Sequence, residues 1–445
     1  MGTLIVSLDS TIVGIALPQI GESLHAGSNI QWVVTANLLA LAVTMPAAGW
    51  VANRLGAKQV FLVSLAAFSV ASLCAALAPN LGFLIAARAG QGMCAGIFNP
   101  VSMTIVLDLF APDERGRAMG VWGLVSMSAP AVGPTFGGYL VTAVSWHWLF
   151  LPNVPIGIIG AIAGRRLLVD TARRAQGKLD IVGLALGGSG LALFIFGLAQ
   201  SRNWGWGDPA TIGCLLGGLA LLVTFTFHAL RAAEPLLELR LIRTPVYLSS
   251  LVVIGLVTLP QYTRAVFTPL QLERLRGYSA LKVGVILTPS AVMTALSMSV
   301  GGRLVDRRGA RVPAVTGCLL MMVGAAGNAF NTPNTSVVWI ATALAIQGMG
   351  VGLVMIPLTV VGLNAIADHS MAHATTIRSL TNQVSAALSV AGLFALVNAR
   401  LASAKSIDAE QSAYNSTFLV AMVVLALAAI ISWRIPSAAS RPRAG

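Results

Sequence analysis

The chain has 445 residues, of which 56% are hydrophobic and 10% are charged, and its mean hydropathy is +0.82. A soluble domain carries about 25% charged residues, so this composition excludes an ordinary soluble protein and indicates a membrane protein. The net charge of +13 would also fit a nucleic-acid-binding protein, but the basic residues lie in short clusters between apolar segments. We therefore expect the lipid bilayer, and no nucleic acid, as a partner.

Fourteen apolar segments follow one another along the chain. A membrane-spanning helix needs about 20 mostly apolar residues, because each residue adds about 1.5 Å of length. The predicted spans are 1–20, 31–51, 60–78, 81–107, 118–141, 147–167, 181–199, 210–230, 246–270, 283–300, 312–329, 336–362, 374–398 and 414–433. The sequence thus predicts an all-α polytopic membrane protein with about 14 transmembrane helices.

The basic residues orient these spans. Nineteen of the 28 Lys and Arg residues lie in the loops after even-numbered spans or after the last span, and six lie in the opposite loops. Cytoplasmic loops are enriched in Lys and Arg, so this bias places both termini in the cytoplasm. Arg outnumbers Lys by 24 to 4, as is typical of high-GC bacterial genomes. We therefore expect a multi-pass protein of the bacterial inner (plasma) membrane.

Two short motifs occur twice. The first reads GWVANRLGAK at Gly49–Lys58 and GRLVDRRGAR at Gly302–Arg311, 253 residues later. The second reads QGMCAG at Gln91–Gly96 and QGMGVG at Gln347–Gly352, 256 residues later. Two matches with nearly equal offsets indicate an internal repeat.

The repeat predicts three parts of the chain. Residues 1–170 would form an N-terminal six-helix bundle, 171–245 two inserted central helices, and 246–445 a C-terminal six-helix bundle. Many secondary transporters are built from two such halves and bind their substrate between them, near the middle of the membrane.

Asp9 is the only acidic residue well inside an apolar span. A carboxylate there costs several kcal/mol unless it is partnered or protonated, so Asp9 is a candidate proton carrier. The alternative is a structural carboxylate that is hydrogen-bonded to a neighbouring helix.

Arg88 is predicted to lie at a depth close to that of Asp9, which would permit direct or water-mediated contact between the two. An arginine stays charged, so Arg88 would either modulate Asp9 or contact a substrate. A structural contact with backbone carbonyls is the alternative.

The repeated loops combine basic residues with glycines. Anchoring of the membrane topology explains the charge, but it does not explain the repeated glycines or the paired positions Asn53 and Asp306. These features predict tight turns and contacts at a gate that forms and breaks. The predicted gate residues are Gly49, Asn53, Arg54, Gly56, Lys58, Gly302, Asp306, Arg307, Gly309 and Arg311.

The fifth span contains GPTFGG at Gly133–Gly138. Gly133 and Gly137 are four residues apart, so they leave one helix face without side chains and permit close approach of another helix. Pro134 frees a backbone carbonyl from its hydrogen bond within the helix. Gly138 is the last residue of the motif. Close packing alone explains this pattern as well as a mechanistic role does. The same glycine spacing recurs at Gly92, Gly96, Gly348 and Gly352.

Five further polar residues lie within spans and either line a substrate cavity or form hydrogen bonds between helices. They are Gln91, Gln261, Arg264, Asn382 and Gln383. The sequence contains no phosphate-binding glycine loop, metal-ligand cluster or nucleophile triad. We therefore expect no enzyme activity, no metal and no cofactor, and an ion gradient as the energy source.

Five motifs together resemble the major facilitator superfamily, and in particular its fourteen-helix drug:proton antiporters. These motifs are LDSTIVGIALP at Leu8–Pro18, the loop Gly49–Lys58, RAGQGMCAG at Arg88–Gly96, the antiporter-type motif Gly133–Gly138, and WHWLFLPNVPIG at Trp146–Gly157. Asn53 stands where that family usually has aspartate.

The resemblance implies two six-helix bundles, a central cavity and alternating access. It also implies that Asp9 and Arg88 are the proton-coupling residues, and that Gly133–Gly138 favours export over uptake. The resulting hypothesis is a monomeric antiporter that exports amphipathic small molecules, lipophilic or cationic, in exchange for protons. Two alternatives remain open: a dedicated exporter of one endogenous metabolite, such as an antibiotic or siderophore, and a transport-inactive membrane sensor.

Overall fold

The computed structural model describes residues 2–126, 133, 144–169, 179–404 and 406–435. Nearly all of these residues are helical, and none of them lies in a β-strand. In chain order the helical segments are α1 Gly2–Ser23, α2 Asn29–Leu55, α3 Ala57–Ala76, α4 Leu81–Leu109, α5 115–126, α6 Trp146–Leu167, α7 Ile181–Trp204, α8 Pro209–Arg231, α9 Pro245–Arg276, α10 Ala280–Arg308, α11 Arg311–Ala329, α12 Val337–Asn364, α13 Asp368–Leu401 and α14 Ile407–Trp433.

The predicted fold class is confirmed. Twelve of the described segments, α2–α4 and α6–α14, are long and apolar enough to cross a membrane. Fourteen spans are more than the described residues show. The first predicted span forms α1 but is not among the twelve, and most of the predicted span 118–141 lies outside the described residues.

Several helices begin at a side chain that accepts a hydrogen bond from a backbone N–H of the first turn. Such a cap satisfies a donor that the helix itself leaves unpaired. The capping residues are Asp180 for α7, Asp208 for α8, Ser279 for α10, Ser336 for α12 and Ser406 for α14.

The contacts between residues divide the chain into two compact units. Unit 1 comprises Met1–Asp108, Val132–Leu241 and Asp368–Leu380. Unit 2 comprises Leu109–Ala131, Ile242–Ala367 and Thr381–Gly445. The division into two bundles with boundaries at 170 and 245 stays a prediction.

The repeated glycines lie at equivalent helix contacts in the two units. In unit 1, Gly92 and Gly96 of α4 face the backbone of α2, and a Cβ atom on Gly96 would lie 2.6 Å from the Leu41 carbonyl oxygen. In unit 2, Gly348 and Gly352 of α12 face α10, and a Cβ atom on Gly352 would lie 2.7 Å from the Ser297 carbonyl carbon. Real Cβ atoms do not approach other atoms so closely, so these positions require glycine for the observed packing.

The core of unit 1 brings α1 into contact with its neighbours. Ile5 of α1 packs in a buried apolar cluster with Leu41 of α2, Phe68 of α3 and Phe98 of α4. This cluster fixes α1 against three other helices close to Asp9, which lies one helical turn beyond Ile5.

Candidate functional site

Asp9 and Arg88 form an ion pair inside unit 1. The side chain of Asp9 is 4% exposed and that of Arg88 is 2% exposed. Nη1 of Arg88 donates a hydrogen bond to Oδ2 of Asp9, which joins α1 to α4. The sequence placed both residues at similar depth, and the structure brings them into direct contact.

Three uncharged side chains complete this polar cluster. Nε2 of Gln91 donates to Oδ1 of Asp9 over 3.3 Å and to Oγ of Ser72 over 2.6 Å. Nδ2 of Asn153 donates to the same two oxygens over 3.2 Å and 3.3 Å. Arg88 also donates to Oε1 of Gln91 over 2.8 Å. The cluster therefore links α1, α3, α4 and α6.

Arg88 has further contacts that fix its position. Its Nε donates to the carbonyl oxygen of Val33 over 3.1 Å, and its own carbonyl oxygen accepts a hydrogen bond from Asn37 over 3.1 Å. The guanidinium carbon lies 5.9 Å from the centre of the Phe150 ring. Because these contacts do not involve Asp9, Arg88 keeps part of its support when the carboxylate changes its charge.

The arrangement can accommodate an ionised carboxylate at this buried place. Asp9 accepts hydrogen bonds from Arg88, Gln91 and Asn153, which replace the water that burial removes. A buried ion pair is tolerated when its remaining lone pairs are satisfied in this way, whereas removal of one partner leaves an uncompensated charge. Any change in the protonation of Asp9 therefore alters the contacts among four helices.

Sequence analysis identified Asp9, Arg88 and Gln91, but it missed Ser72 and Asn153. Ser72 offers no signal, because serine in a transmembrane helix commonly bonds to its own backbone. Asn153 lies within the quoted WHWLFLPNVPIG motif, where an amide in an apolar segment could have been selected. Its Oδ1 atom is buried and has no hydrogen-bond partner among the described residues.

The polar residues predicted for a substrate cavity are distributed over the two units. Gln91 belongs to the Asp9 cluster in unit 1. In unit 2, Arg264 donates to hydroxyl groups of α10, and the exposed Asn382 accepts a 3.4 Å hydrogen bond from Thr258. Gln261 and Gln383 are half-buried, and neither has a side-chain hydrogen bond to another described residue.

The prediction that the two repeated motifs form loops is wrong for most of their residues, since residues 49–55 and 302–308 are helical. The tight turn between successive helices is confined to one glycine and its neighbours in each motif. Gly56 has φ +89° and Gly309 has φ +74°, a backbone conformation that side chains strongly disfavour. The neighbouring Gly49 lies close to α13, since a Cβ atom there would be 3.0 Å from the Ala372 carbonyl oxygen. Asn53 is buried in this segment.

The second repeated loop makes a specific contact at the start of α5. The carboxylate of Asp306 accepts hydrogen bonds from the backbone N–H groups of Gly116 over 2.9 Å and Arg117 over 2.8 Å. Backbone N–H groups in the first turn of a helix have no acceptor within the helix, and the helix dipole makes a negative charge favourable there. Nearby, Arg311 donates to the carbonyl oxygen of Ile435 over 2.8 Å.

Of the predicted antiporter motif, only Gly133 is described, and it is helical and buried. Pro134, Gly137 and Gly138 lie outside the described residues. Within the described part of the chain, no group of three or more His, Cys, Asp or Glu residues is placed to hold a metal ion.

A sequence profile described as Major Facilitator Superfamily matches residues 1–390. The chain belongs to this superfamily. Its relatives include the puromycin resistance protein pur8 of Streptomyces alboniger, which is 32% identical over 97% of this chain and 88% of its own length. A multidrug resistance protein B homolog of Mycobacterium tuberculosis is 30% identical over 88% of this chain and 73% of its own length.

A third relative is the tetracenomycin C resistance and export protein of Streptomyces glaucescens, which is 32% identical over 83% of this chain and 69% of its own length. Major facilitator proteins are transporters, so the chain is a polytopic membrane transporter of this class.

Solved structures show the same fold at low sequence identity. The proton:xylose symporter XylE is 12% identical, with a TM-score of 0.68 over 98% of this chain and 94% of that structure. The human organic anion transporter MFSD10 is 16% identical, with a TM-score of 0.65 over 95% of this chain and 97% of that structure. At this identity the likeness establishes the major facilitator fold alone.

Proposed function

We propose that this major facilitator protein is a secondary active antiporter, which exports amphipathic small molecules in exchange for protons by alternating access. The observation that carries the proposal is the buried Asp9–Arg88 ion pair with its amide and hydroxyl neighbours. The relatives that are named for multidrug resistance, puromycin resistance and tetracenomycin C export support a role in export.

In the proposed cycle, Asp9 is the proton carrier. A proton that binds Asp9 removes the negative charge that Arg88, Gln91 and Asn153 stabilise, and so weakens the link from α1 to α4 and α6. Arg88 would then retain its bonds to Val33 and Gln91. The protonated and ionised states thus favour different packing, and a substrate that binds one of them better couples its transport to the proton.

The direction and location belong to the same proposal. Both termini would lie in the cytoplasm of a bacterial cell, because most Lys and Arg residues lie in the loops on that side. Protons would enter the cell as substrate leaves it, and the proton gradient would supply the energy without any cofactor. The protein would function as a monomer.

A test is dye efflux from pump-deficient bacterial cells that express the protein. The panel would contain ethidium, fluorescein and Nile red, which are cationic, anionic and neutral. We expect energy-dependent efflux of at least one dye, its loss when a protonophore is added, and at least a tenfold lower rate in Asp9→Asn, because the amide cannot carry the proton.

Two variants control this experiment. Glu22→Gln makes the same chemical change at an exposed position of α1 and should leave efflux unchanged. Asp9→Glu keeps a carboxyl group and should retain measurable efflux. Wild-type efflux that persists with the protonophore, or an Asp9→Asn variant as active as Glu22→Gln at equal expression, would refute the proposal.

A second candidate function is the dedicated export of one endogenous compound. The relatives named for puromycin and tetracenomycin C favour it, since each name refers to a single antibiotic. Efflux of several chemically unrelated dyes would exclude this candidate.

A further inference from the structure

Unit 2 contains an intramembrane cation, Arg264, that has no acidic partner among the residues that the structure describes. Arg264 lies in the middle part of α9, within a single turn of π-helix at Thr263–Phe267. Turns of this kind are rare and occur frequently at functional sites. The turn follows Pro260, whose carbonyl oxygen accepts a hydrogen bond from Nε2 of Gln347 over 3.2 Å.

The described contacts of Arg264 are all to neutral oxygens. Its Nη1 donates to Oγ of Ser290, to Oγ1 of Thr294 over 3.0 Å, and at 3.5 Å to the Ser290 carbonyl oxygen. The guanidinium can approach α12 closely because position 348 is glycine, where a Cβ atom would lie 2.7 Å from Nη1. Its Nε and Nη2 have no hydrogen-bond partner among the described residues.

The sequence offers no nearby carboxylate on α9–α12. Glu273 and Asp306 are the only acidic residues between 245 and 364. Glu273 is exposed and lies nine residues further along α9, about 13 Å away along the helix axis. The carboxylate of Asp306 is occupied by the backbone N–H groups of Gly116 and Arg117.

Arg264 differs from Arg88 in having no carboxylate partner among the described residues. Arg88 is paired with Asp9, whereas Arg264 has only hydroxyl and carbonyl neighbours among the described residues and remains partly exposed. An arginine stays charged in any environment, and a charge within a membrane span is costly without a counter-ion. The free N–H groups of a guanidinium lie in one plane and can donate two parallel hydrogen bonds to the oxygens of a carboxylate or a sulfonate.

We propose that Arg264 binds the anionic group of the transported substrate, so that the substrates of this protein are acidic or zwitterionic amphiphiles. This inference rests on the proposed export function and names its substrate class. The apolar part of the substrate would contact apolar side chains of α9, which is apolar enough to cross a membrane. Ser290 and Thr294 act as positioning residues, because they hold Nη1 and leave the other guanidinium nitrogens for the ligand.

Probes that share one naphthalene ring and carry an anionic, a neutral or a cationic substituent test this proposal. We would measure the binding of 2-naphthoate, 2-naphthalenemethanol and 2-naphthalenemethylammonium to the purified full chain in neutral detergent by isothermal titration calorimetry at pH 7. We expect the wild type to bind the anion at least tenfold more tightly than the cation. Arg264→Gln should reduce that ratio to about one, and Arg264→Lys should retain a several-fold preference.

The matched control is Arg274→Gln, which removes one positive charge from an exposed position of the same helix and should keep the full preference. A wild type without charge preference, or an Arg264→Gln variant that keeps it, would overturn the proposal. If Arg264→Gln binds no probe at all, Arg264→Lys decides: loss of the preference while the neutral probe still binds would also overturn it. Binding in detergent needs no proton gradient, so this result is independent of whether transport is proton-coupled.

Discussion

At the scale of single residues, the Asp9–Arg88 ion pair of unit 1 lies in a hydrogen-bonded cluster whose members come from four helices. Asp9 accepts from Arg88, Gln91 and Asn153, and Ser72 accepts from both amides. No single one of these contacts would compensate for the loss of water around a buried carboxylate. The cluster as a whole makes the charge of Asp9 a determinant of helix packing.

Asp180 stabilises the start of α7 outside the membrane span. Its carboxylate accepts the N–H groups of Gly183 over 2.7 Å and Leu236 over 3.2 Å, and it lies 2.8 Å from Nε2 of His228. Burial raises the pKa of Asp180, but these hydrogen bonds outweigh that effect and lower the pKa below its ordinary value of 3.8.

We predict that Asp180→Ala lowers the stability of the protein by about 1–3 kcal/mol, because it leaves buried donors unpaired. A lowered carboxyl pKa means that this stabilisation is present above the ordinary pKa and is lost as the pH falls through the folded-state value. The difference in Tm between wild type and variant in detergent should shrink as the pH falls below about 4.

The helix cap Asp208, whose carboxylate accepts a hydrogen bond only from Ala210 among the described residues, provides the comparison for Asp180. Asp208→Ala should cost about 0.5–1 kcal/mol. If Asp180→Ala and Asp208→Ala lost the same amount of stability, the additional hydrogen bonds at Asp180 would not contribute as we propose.

The charged members of the Asp9 cluster could be predicted from the sequence, and the small polar members could not. A carboxylate or guanidinium in an apolar span needs a partner, so Asp9 and Arg88 were identified from their type and depth. The hydroxyl of Ser72 and the amide of Asn153 gain their role only from the packing of α3 and α6 against α1. That Arg264 contacts only neutral oxygens in the described part of the chain could likewise be seen only in the structure.

At the scale of helices, the internal repeat corresponds to a repeated packing contact. The QGMxxG motif places a glycine pair of α4 against α2 in unit 1 and of α12 against α10 in unit 2. The small residues allow two backbones to approach, and dispersion contacts between them hold helices together where the solvent is lipid. This contact explains why the glycines recur with the same spacing.

We predict that Gly92→Ala destabilises the protein, because the added Cβ atom would overlap the backbone of Asn37. Overpacking of this kind costs about 1–3 kcal/mol, so the Tm in detergent should fall. Gly213→Ala is the control, since a Cβ atom there meets no other atom within 4 Å. Alanine at that helical position should be neutral or stabilise by up to about 1 kcal/mol. A rise in Tm for both variants would contradict the close contact of α4 with α2.

The positions of the helices were predicted more accurately than any other feature of the structure. Their apolar length follows directly from the thickness of a bilayer, so the spans lie close to the observed helices, as for 147–167 and Trp146–Leu167. Helix ends were less accurate, because amphipathic turns extend beyond the apolar segment. Span 283–300, for example, continues as a helix to Arg308, through the residues of the second gate loop.

At the scale of the whole molecule, two intramembrane arginines are held in opposite ways. Arg88 in unit 1 is neutralised by an acid of the chain itself, and Arg264 in unit 2 is held by hydroxyl and carbonyl groups. The proposed functions follow from this difference: a proton acts on the pair at Asp9, and an anionic group of the substrate binds at Arg264. Each proposal has its own measurable consequence, since one concerns coupling and the other concerns binding.

The central claim is that Asp9 carries the proton that is exchanged for substrate. The most direct measurement uses proteoliposomes of the purified protein with an acidic lumen and a trapped pH indicator. The dye that wild-type cells export best is added outside, and dye uptake and lumenal pH are followed together. Wild type, Asp9→Asn and Glu22→Gln are compared at equal protein density.

We predict that wild type and Glu22→Gln take up the dye while the lumenal pH rises, because each transport cycle releases protons. In Asp9→Asn both signals should fall at least tenfold. Dye uptake by the wild type without any proton movement, or proton movement of wild-type rate in Asp9→Asn, would contradict the account.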